Sequence, residues 1–268
     1  MSKVTSNKTK AILTDTTLCI GCRECVIACK KEYNLDQAVP HRWDLEDGLS
    51  ARNWTSIIER DNGVFVRKQC RHCEEPACAS ACPVKALTKT PEGAVIYDSD
   101  RCMGCRYCMM ACPYGIPRYD WDKQVPLVRK CILCHPRTVK GLQPACTEAC
   151  PTGATIFGDR DELLKIAHKR IKDNPDKYVN KVFGEHEIGG TSVMYISDTD
   201  LSFLTYGQPL GNDPVPERTK FAMNAVPFAF IGMGTTMGVL NWIIGRRIKN
   251  QDQITPPKND KPEEKKHG

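Results

Sequence analysis

The sequence predicts an α+β chain: a cysteine-rich region of short hairpins and helices folded as two interleaved halves, then one long apolar helix. Three observations predict it. All sixteen cysteines fall between Cys19 and Cys150 in four groups of four, with none left over. The stretch between the second and third groups carries a hairpin signal, two apolar segments around Pro91-Glu92-Gly93. Residues 221–244 contain no formal charge.

Composition narrows the function first. A chain of 268 residues with 41% hydrophobic and 26% charged residues has the means to bury a core and is not disordered. Sixteen cysteines are too many for an ordinary intracellular domain and too few for a small disulfide scaffold. The net charge is +6, and residues 246–268 contribute half of it, so the body offers no basic footprint for nucleic acid. The Gly-rich nucleotide-binding motifs are absent from the sequence.

The groups are Cys19, Cys22, Cys25, Cys29; Cys70, Cys73, Cys78, Cys82; Cys102, Cys105, Cys108, Cys112; and Cys131, Cys134, Cys146, Cys150. Groups one and three have the C-x2-C-x2-C-x3-C spacing of bacterial ferredoxins, while groups two and four stretch one interval. Three closely spaced thiolates wrap three corners of one iron–sulfur cube through a tight turn, helped by Gly21 and Gly104. The fourth cysteine points away to a neighbouring cube. Pro83, Pro113 or Pro151 then stops the short helix, and Lys30 stands in that place in group one. Zinc sites leave the x2-x2-x3 spacing unexplained, and cysteines so close in short turns seldom reach disulfide geometry. The sixteen cysteines thus predict four [4Fe–4S] clusters.

Along the chain, Lys10–Thr14 reads as a strand before group one. The insertion 30–69 holds Tyr33, Trp43 and Trp54, with strands at Thr55–Glu59 and Val64–Lys68. A hairpin built on Leu87 and Ala94–Tyr97 joins groups two and three into an inner two-cluster module over 64–121, inserted in an outer module. Groups one and four must then complete each other. The ferredoxin arrangement predicts Cys19, Cys22 and Cys25 with Cys150; Cys131, Cys134 and Cys146 with Cys29; Cys70, Cys73 and Cys78 with Cys112; and Cys102, Cys105 and Cys108 with Cys82. With every corner supplied by cysteine, His72 and His135 are read as hydrogen-bonding near the sulfurs, and Trp43, Trp54 and Trp121 as packing aromatics.

Ala154–Phe157 is the strand after group four, closing a four-cluster domain at 10–158. Asp159 reads as the N-cap, with Glu162 reciprocal to it, of a helix over about 160–173 whose apolar face is Leu163, Leu164, Ala167 and Ile171. Residues 174–220 are Gly/Pro/Asp-rich and read, with the preceding helix, as a partner-wrapping region, with a short strand at Ser192–Ile196. The apolar stretch predicts a single transmembrane helix at 221–245, with Trp242 at an interface and Gly234-x-x-x-Gly238 as a close-approach face. Arg246, Arg247, Lys249, Lys258 and Lys261 follow it, against Arg218 and Lys220 before. This bias places the tail 246–268 in the cytoplasm and the cluster domain on the outer, periplasmic face. The first fifteen residues show neither an apolar run nor twin arginines, so export in company with a signal-bearing partner is expected.

The motifs KQCRHCEEPACASACPVKAL, DRCMGCRYCMMACPYGIPRYDW, KCILC, PACTEACPTGATIFGDRDEL and GEHEIGGTSVMY resemble the four-cluster iron–sulfur subunits of complex iron–sulfur molybdoenzymes. The resemblance is to the membrane-anchored kinds, the formate dehydrogenase-N and hydrogenase-2 types. It implies a non-catalytic electron-transfer subunit. Its partners would be a large catalytic subunit, with a molybdenum or tungsten pterin or a nickel–iron centre, and a quinone-reactive membrane subunit. A free-standing polyferredoxin is the alternative.

Overall fold

The computed structural model describes residues 9–35, 47–60, 63–121, 123–124, 127–205 and 210–254, and Trp43, Lys258 and Lys261 lie outside them. The chain divides into two compact units, one through Arg218 and one from Thr219 onward.

The first unit is organised on β1 (Lys10–Asp15), buried along nearly its whole length. A strand buried on both faces needs apolar side chains on both, and its period of two divides them. Ile12 faces one cluster with Val66, Leu133, Cys146 and Tyr195. Ala11 and Leu13 face another with Leu163, Ala167, Met194 and Ile196. The cysteine loops occupy the first side and a helix covers the second. β1 pairs antiparallel with β8 (Thr155–Asp159), from Lys10 opposite Asp159 to Thr14 opposite Thr155. It pairs parallel with β9 (Val193–Ile196), from Ile12 opposite Val193 to Asp15 opposite Ile196.

The hairpins lie where the sequence predicts them. β2 (Thr55–Glu59) pairs with β3 (Phe65–Gln69), and β4 (Leu87–Lys89) with β5 (Val95–Tyr97). β6 (Arg118–Tyr119) and β7 (Val128–Arg129) add a short third pair. Only glycine serves at the β4–β5 turn: Gly93 has φ +96°, and a Cβ there would stand 2.7 Å from the Lys10 carbonyl oxygen.

The cysteine loops carry the short helices α1 (Glu24–Glu32), α2 (Ala77–Ser80), α3 (Tyr107–Ala111), α4 (His135–Thr138) and α5 (Ala145–Glu148). The helix α6 (Arg160–Asp173) follows β8 directly and buries Leu163, Ala167 and Ile171, one per turn; Leu164 is only partly buried. Burying Leu163 and Ile171 contributes about 1.5–3 kcal/mol each. The predicted Asp159 cap is not made. Asp159 still lies in β8 opposite Lys10, and its Oδ1 accepts from Lys10 Nζ at 2.6 Å instead of from the helix N–H groups. Asp161 and Glu162 in the first turn supply the negative charge that the helix dipole favours.

The segment read as partner-wrapping turns inward. Tyr178, Val182, Phe183, Leu201 and Leu204 are buried in the unit's own core on either side of β9, and Ile188 is buried against Leu49, Cys70, Tyr114 and Ile116. Its apolar residues are too scattered to show helix or strand periodicity, and their partners are distant in sequence.

The long helix α7 (Val215–Ile254) contains the predicted apolar stretch and extends beyond it at both ends. Over Val215–Asn250 it is long and apolar enough to cross a membrane, and none of that window is buried. Thr235 and Thr236 return their hydroxyls to the carbonyls of Ile231 and Gly232 at 2.8–3.0 Å, which satisfies them within the helix.

Candidate cluster-binding centres

One turn recurs in all four cysteine groups. The residue just before the second cysteine is left-handed each time: Gly21 at φ +69°, His72 at +49°, Gly104 at +73° and Leu133 at +57°. The turn aims backbone N–H groups at the first thiol: Gly104 N–H donates to Cys102 Sγ and Leu133 N–H to Cys131 Sγ, both at 3.4 Å. In groups one and three, Arg23 and Arg106 are left-handed too and start α1 (Glu24–Glu32) and α3 (Tyr107–Ala111).

The fourth cysteine is set by proline. Pro113 follows Cys112, and α3 stops at Ala111. After each Cys-Pro the third residue past the cysteine is left-handed: Lys85 at φ +53°, Gly115 at +59° and Gly153 at +65°. Ala86 N–H then reaches Cys82 Sγ at 3.2 Å and Ile116 N–H reaches Cys112 Sγ at 3.5 Å. Lys30 imposes no stop, so α1 runs through Cys29 to Glu32.

The folded loops bring the cysteines together across groups. Cys19, Cys22, Cys25 and Cys150 line one cavity, with Arg67, Thr152 and Thr155 in its wall. Cys29, Cys131, Cys134 and Cys146 line a second, walled by Tyr33, Trp54, Gln69 and Leu133. Cys73 has Cys112, Cys70 and Cys78 as its electrostatic neighbours. Cys108 has Cys102, Cys105 and Cys82. The sets also touch in sequence: Cys25 neighbours Cys146, Cys131 neighbours Cys70, and Cys78 neighbours Cys108. They therefore form a line, from the Cys19 set through the Cys131 and Cys70 sets to the Cys102 set.

The donors suit iron–sulfur cubes. None of the sixteen cysteines is paired in a disulfide. Among the described residues no three His, Cys, Asp or Glu side chains converge as a single metal ion would require. The thiols surround a space rather than a point, as one iron at each of four corners demands. Burial pushes the Cys25 and Cys108 thiols up to about 11 and Cys78 up to about 12. Thiols so placed stay protonated at neutral pH without metal, and binding iron releases their protons. Cys150 is the reverse case. Burial would raise it, but the N–H groups of Thr155 and Thr152 and their hydroxyls bring it below the ordinary thiol range.

Two buried cations face the thiols. Arg67 is 1% exposed, and its Nε, Nη1 and Nη2 have no hydrogen-bond partner among the described residues. Lys130, 3% exposed, donates to the carbonyls of Val95 at 2.5 Å and Cys131 at 3.0 Å beside the Cys70 set. Isolated buried charges are costly, and an anionic cluster offsets them. Neither residue stood out in the sequence, because Arg in a short strand, or Lys just after one, reads as surface.

His72 is fully buried. Its Nδ1 accepts from Val95 N–H at 2.9 Å, so it bonds backbone rather than sulfur. His135 lies 3.6 Å from Glu92. Trp54 donates to the Ala51 carbonyl and packs 4.8 Å from Tyr33; Trp121 lies edge-on to Tyr119 at 4.8 Å.

Residues 62–160 match a 4Fe-4S dicluster domain family and residues 16–33 a 4Fe-4S binding domain family. A protein of Nitratidesulfovibrio vulgaris is 46% identical over 81% of this chain, which spans 61% of that protein's length. The hydrogenase-2 operon protein HybA of Escherichia coli O157:H7 is 39% identical over 69% of each chain. The formate dehydrogenase-O iron-sulfur subunit of Escherichia coli K12 is 35% identical over 84% of this chain and 79% of its own.

Proposed function

Because the chain belongs to the iron–sulfur subunits of the hydrogenase-2 and formate dehydrogenase kind, which bind [4Fe–4S] clusters, we propose that it is a four-cluster electron conductor. It links a catalytic large subunit to a quinone-linked membrane subunit and catalyses no bond chemistry itself. Each bound cluster supplies a one-electron couple, and the protein sets its potential through burial, charge and hydrogen bonds to sulfur.

The observation that carries this reading is the sharing of cavities between groups one and four. Cys150 joins Cys19, Cys22 and Cys25, and Cys29 joins Cys131, Cys134 and Cys146, although more than a hundred residues separate the partners. Reciprocal exchange of the fourth ligand is the ferredoxin arrangement. The inner sets follow the same rule, Cys70, Cys73 and Cys78 with Cys112, and Cys102, Cys105 and Cys108 with Cys82. The inner module at 64–121 is thus interleaved with an outer one in a cluster domain at 10–158. The line of neighbouring sets gives a conduction path without branches.

The helix α7 anchors the chain in a lipid bilayer. Its window of mean hydropathy 1.4 and its unburied apolar side chains support this. Arg246, Arg247 and Lys249 after the apolar stretch favour a cytoplasmic C-terminus and a cluster domain on the outer face.

Anaerobic purification in detergent tests the reading: about four irons and four sulfides per cluster, four clusters per chain, and a co-purifying pterin-binding or nickel–iron large subunit are expected. A soluble monomer recovered without detergent would instead support a free-standing polyferredoxin. Protection of the cluster domain from protease in right-side-out spheroplasts would overturn the orientation.

A further inference from the structure

Arg67 lies in β3 with its guanidinium turned into the core, where 1% of the residue is exposed and no described carboxylate pairs with it. Its charge faces thiols from two different sets. It lines the cavity of Cys19, Cys22, Cys25 and Cys150, and its electrostatic neighbours include Cys146 and Cys131 of the adjoining set. Tyr195, also fully buried, donates its hydroxyl to the Arg67 carbonyl at 2.8 Å and fixes the backbone that carries the charge.

We infer that Arg67 is a positioning residue shared by the two outer cluster sites, its fixed positive charge favouring the reduced state of both and raising their potentials together. This rests on the cysteine assignment proposed above. A [4Fe–4S] cluster held by four thiolates would carry roughly −2 when oxidised and, with one electron and no proton added, roughly −3. The electron would arrive from the cluster held by the neighbouring set and leave to the next. A cation held in a dry interior, with no counter-charge but the thiolates, interacts more strongly with the more negative state. One charge between two sites acts on both, so their two potentials shift in the same direction.

The test is a redox titration followed by electron paramagnetic resonance, with dithionite as reductant and ferricyanide as oxidant. It uses the detergent-purified complex carrying the wild-type chain, Arg67→Met or Arg67→Lys, with iron and sulfide counted in each. In Arg67→Met, two of four transitions should move to more negative potential, each by about tenfold in its reduction equilibrium, or about 59 mV for one electron. The other two should stay, and Arg67→Lys should restore the moved pair. Full iron content with all four transitions unmoved in Arg67→Met would overturn the inference while leaving the cysteine assignment standing. If Arg67→Met loses iron, retention of clusters and potentials in Arg67→Lys supports the role of charge. Loss from Arg67→Lys as well makes the role one of shape and overturns it. Fewer than four clusters in the wild type would remove the assignment itself.

Discussion

Arg170 of α6 donates from Nη1 to Asp15 Oδ2 at 3.0 Å, tying the covering helix to the end of the central strand across 155 residues. Asp15 is 1% exposed and its remaining valences are used: Tyr178 Oη donates to Oδ2 at 2.9 Å, and Thr17 donates to Oδ1 from N at 3.1 Å and from Oγ1 at 2.7 Å. Asp15→Ala should cost about 2–4 kcal/mol, since it strands the buried Tyr178 hydroxyl as well as breaking the ion pair. Asp15→Asn, which keeps an acceptor, should cost about half that. Anaerobic thermal unfolding followed by circular dichroism measures both, and a variant as stable as wild type would show the network to be ornamental.

The three Cys-Pro loops share a left-handed residue, yet only Lys85 among Lys85, Gly115 and Gly153 has a side chain there. Lys85→Gly should therefore leave stability unchanged or raise it by up to about 1 kcal/mol, because it removes left-handed strain at an exposed position. Gly153→Ala meets no neighbour within 4 Å, so its expected loss of about 1 kcal/mol comes from backbone alone. The thermal midpoint should fall for Gly153→Ala and not for Lys85→Gly; a fall in both would mean that the loops are not equivalent.

Local signals made most of the cluster domain readable. Cysteine spacing announced the loops, Pro91-Glu92-Gly93 announced the β4–β5 turn, and the four-residue rhythm Leu163, Ala167, Ile171 announced α6. What stayed hidden depends on distant partners. His72 and Leu133 adopt a conformation that favours glycine, and burial against the core together with the Val95 N–H to His72 and Leu133 N–H to Cys131 hydrogen bonds holds them there. Asp159 has the composition of a cap, but its register opposite Lys10 takes its side chain elsewhere. Arg67 alternates with its neighbours as any strand residue does, and only the assembled thiols reveal why it faces inward. Residues 178–204 join the core through β9, whose partner β1 lies about 180 residues earlier, too far for any periodicity to report.

Glu187 gives stability a defined dependence on pH. Burial pushes its carboxyl up, but Lys181 Nζ at 2.7 Å and the Gly184 N–H at 2.7 Å outweigh this and hold it below the usual carboxylate range. A depressed native pKa means that its contribution is complete above the unfolded value of about 4.3 and fades as pH falls through the native one. Glu187→Gln should lower the thermal midpoint at pH 7, an effect of about 1 kcal/mol. The gap from wild type should close as pH drops below about 4. A gap that widened on acidification would mean that Lys181 and Gly184 do not stabilise the ionised form.

Cys112 separates the interleaved assignment from a local one. It belongs by sequence to the third group, four residues after Cys108, yet its thiol packs with Cys70 and Cys73. Cys73 in turn counts Cys112 first among its charged neighbours. Cys112→Ser should therefore damage the cluster held by Cys70, Cys73 and Cys78, converting it to a three-iron form or losing it, and leave the one held by Cys102, Cys105 and Cys108. The reciprocal Cys82→Ser should do the opposite, since Cys82 packs with Cys108. The two damaged sites are distinguishable because only the Cys70 set has Lys130 beside it, through Cys78 and Cys112. Lys130→Met should therefore shift the potential of the transition that Cys112→Ser abolishes and leave the one that Cys82→Ser abolishes. Electron paramagnetic resonance on the three variants decides it: if Cys112→Ser and Cys82→Ser remove each other's expected signal, each group keeps its own fourth ligand and the interleaving is wrong.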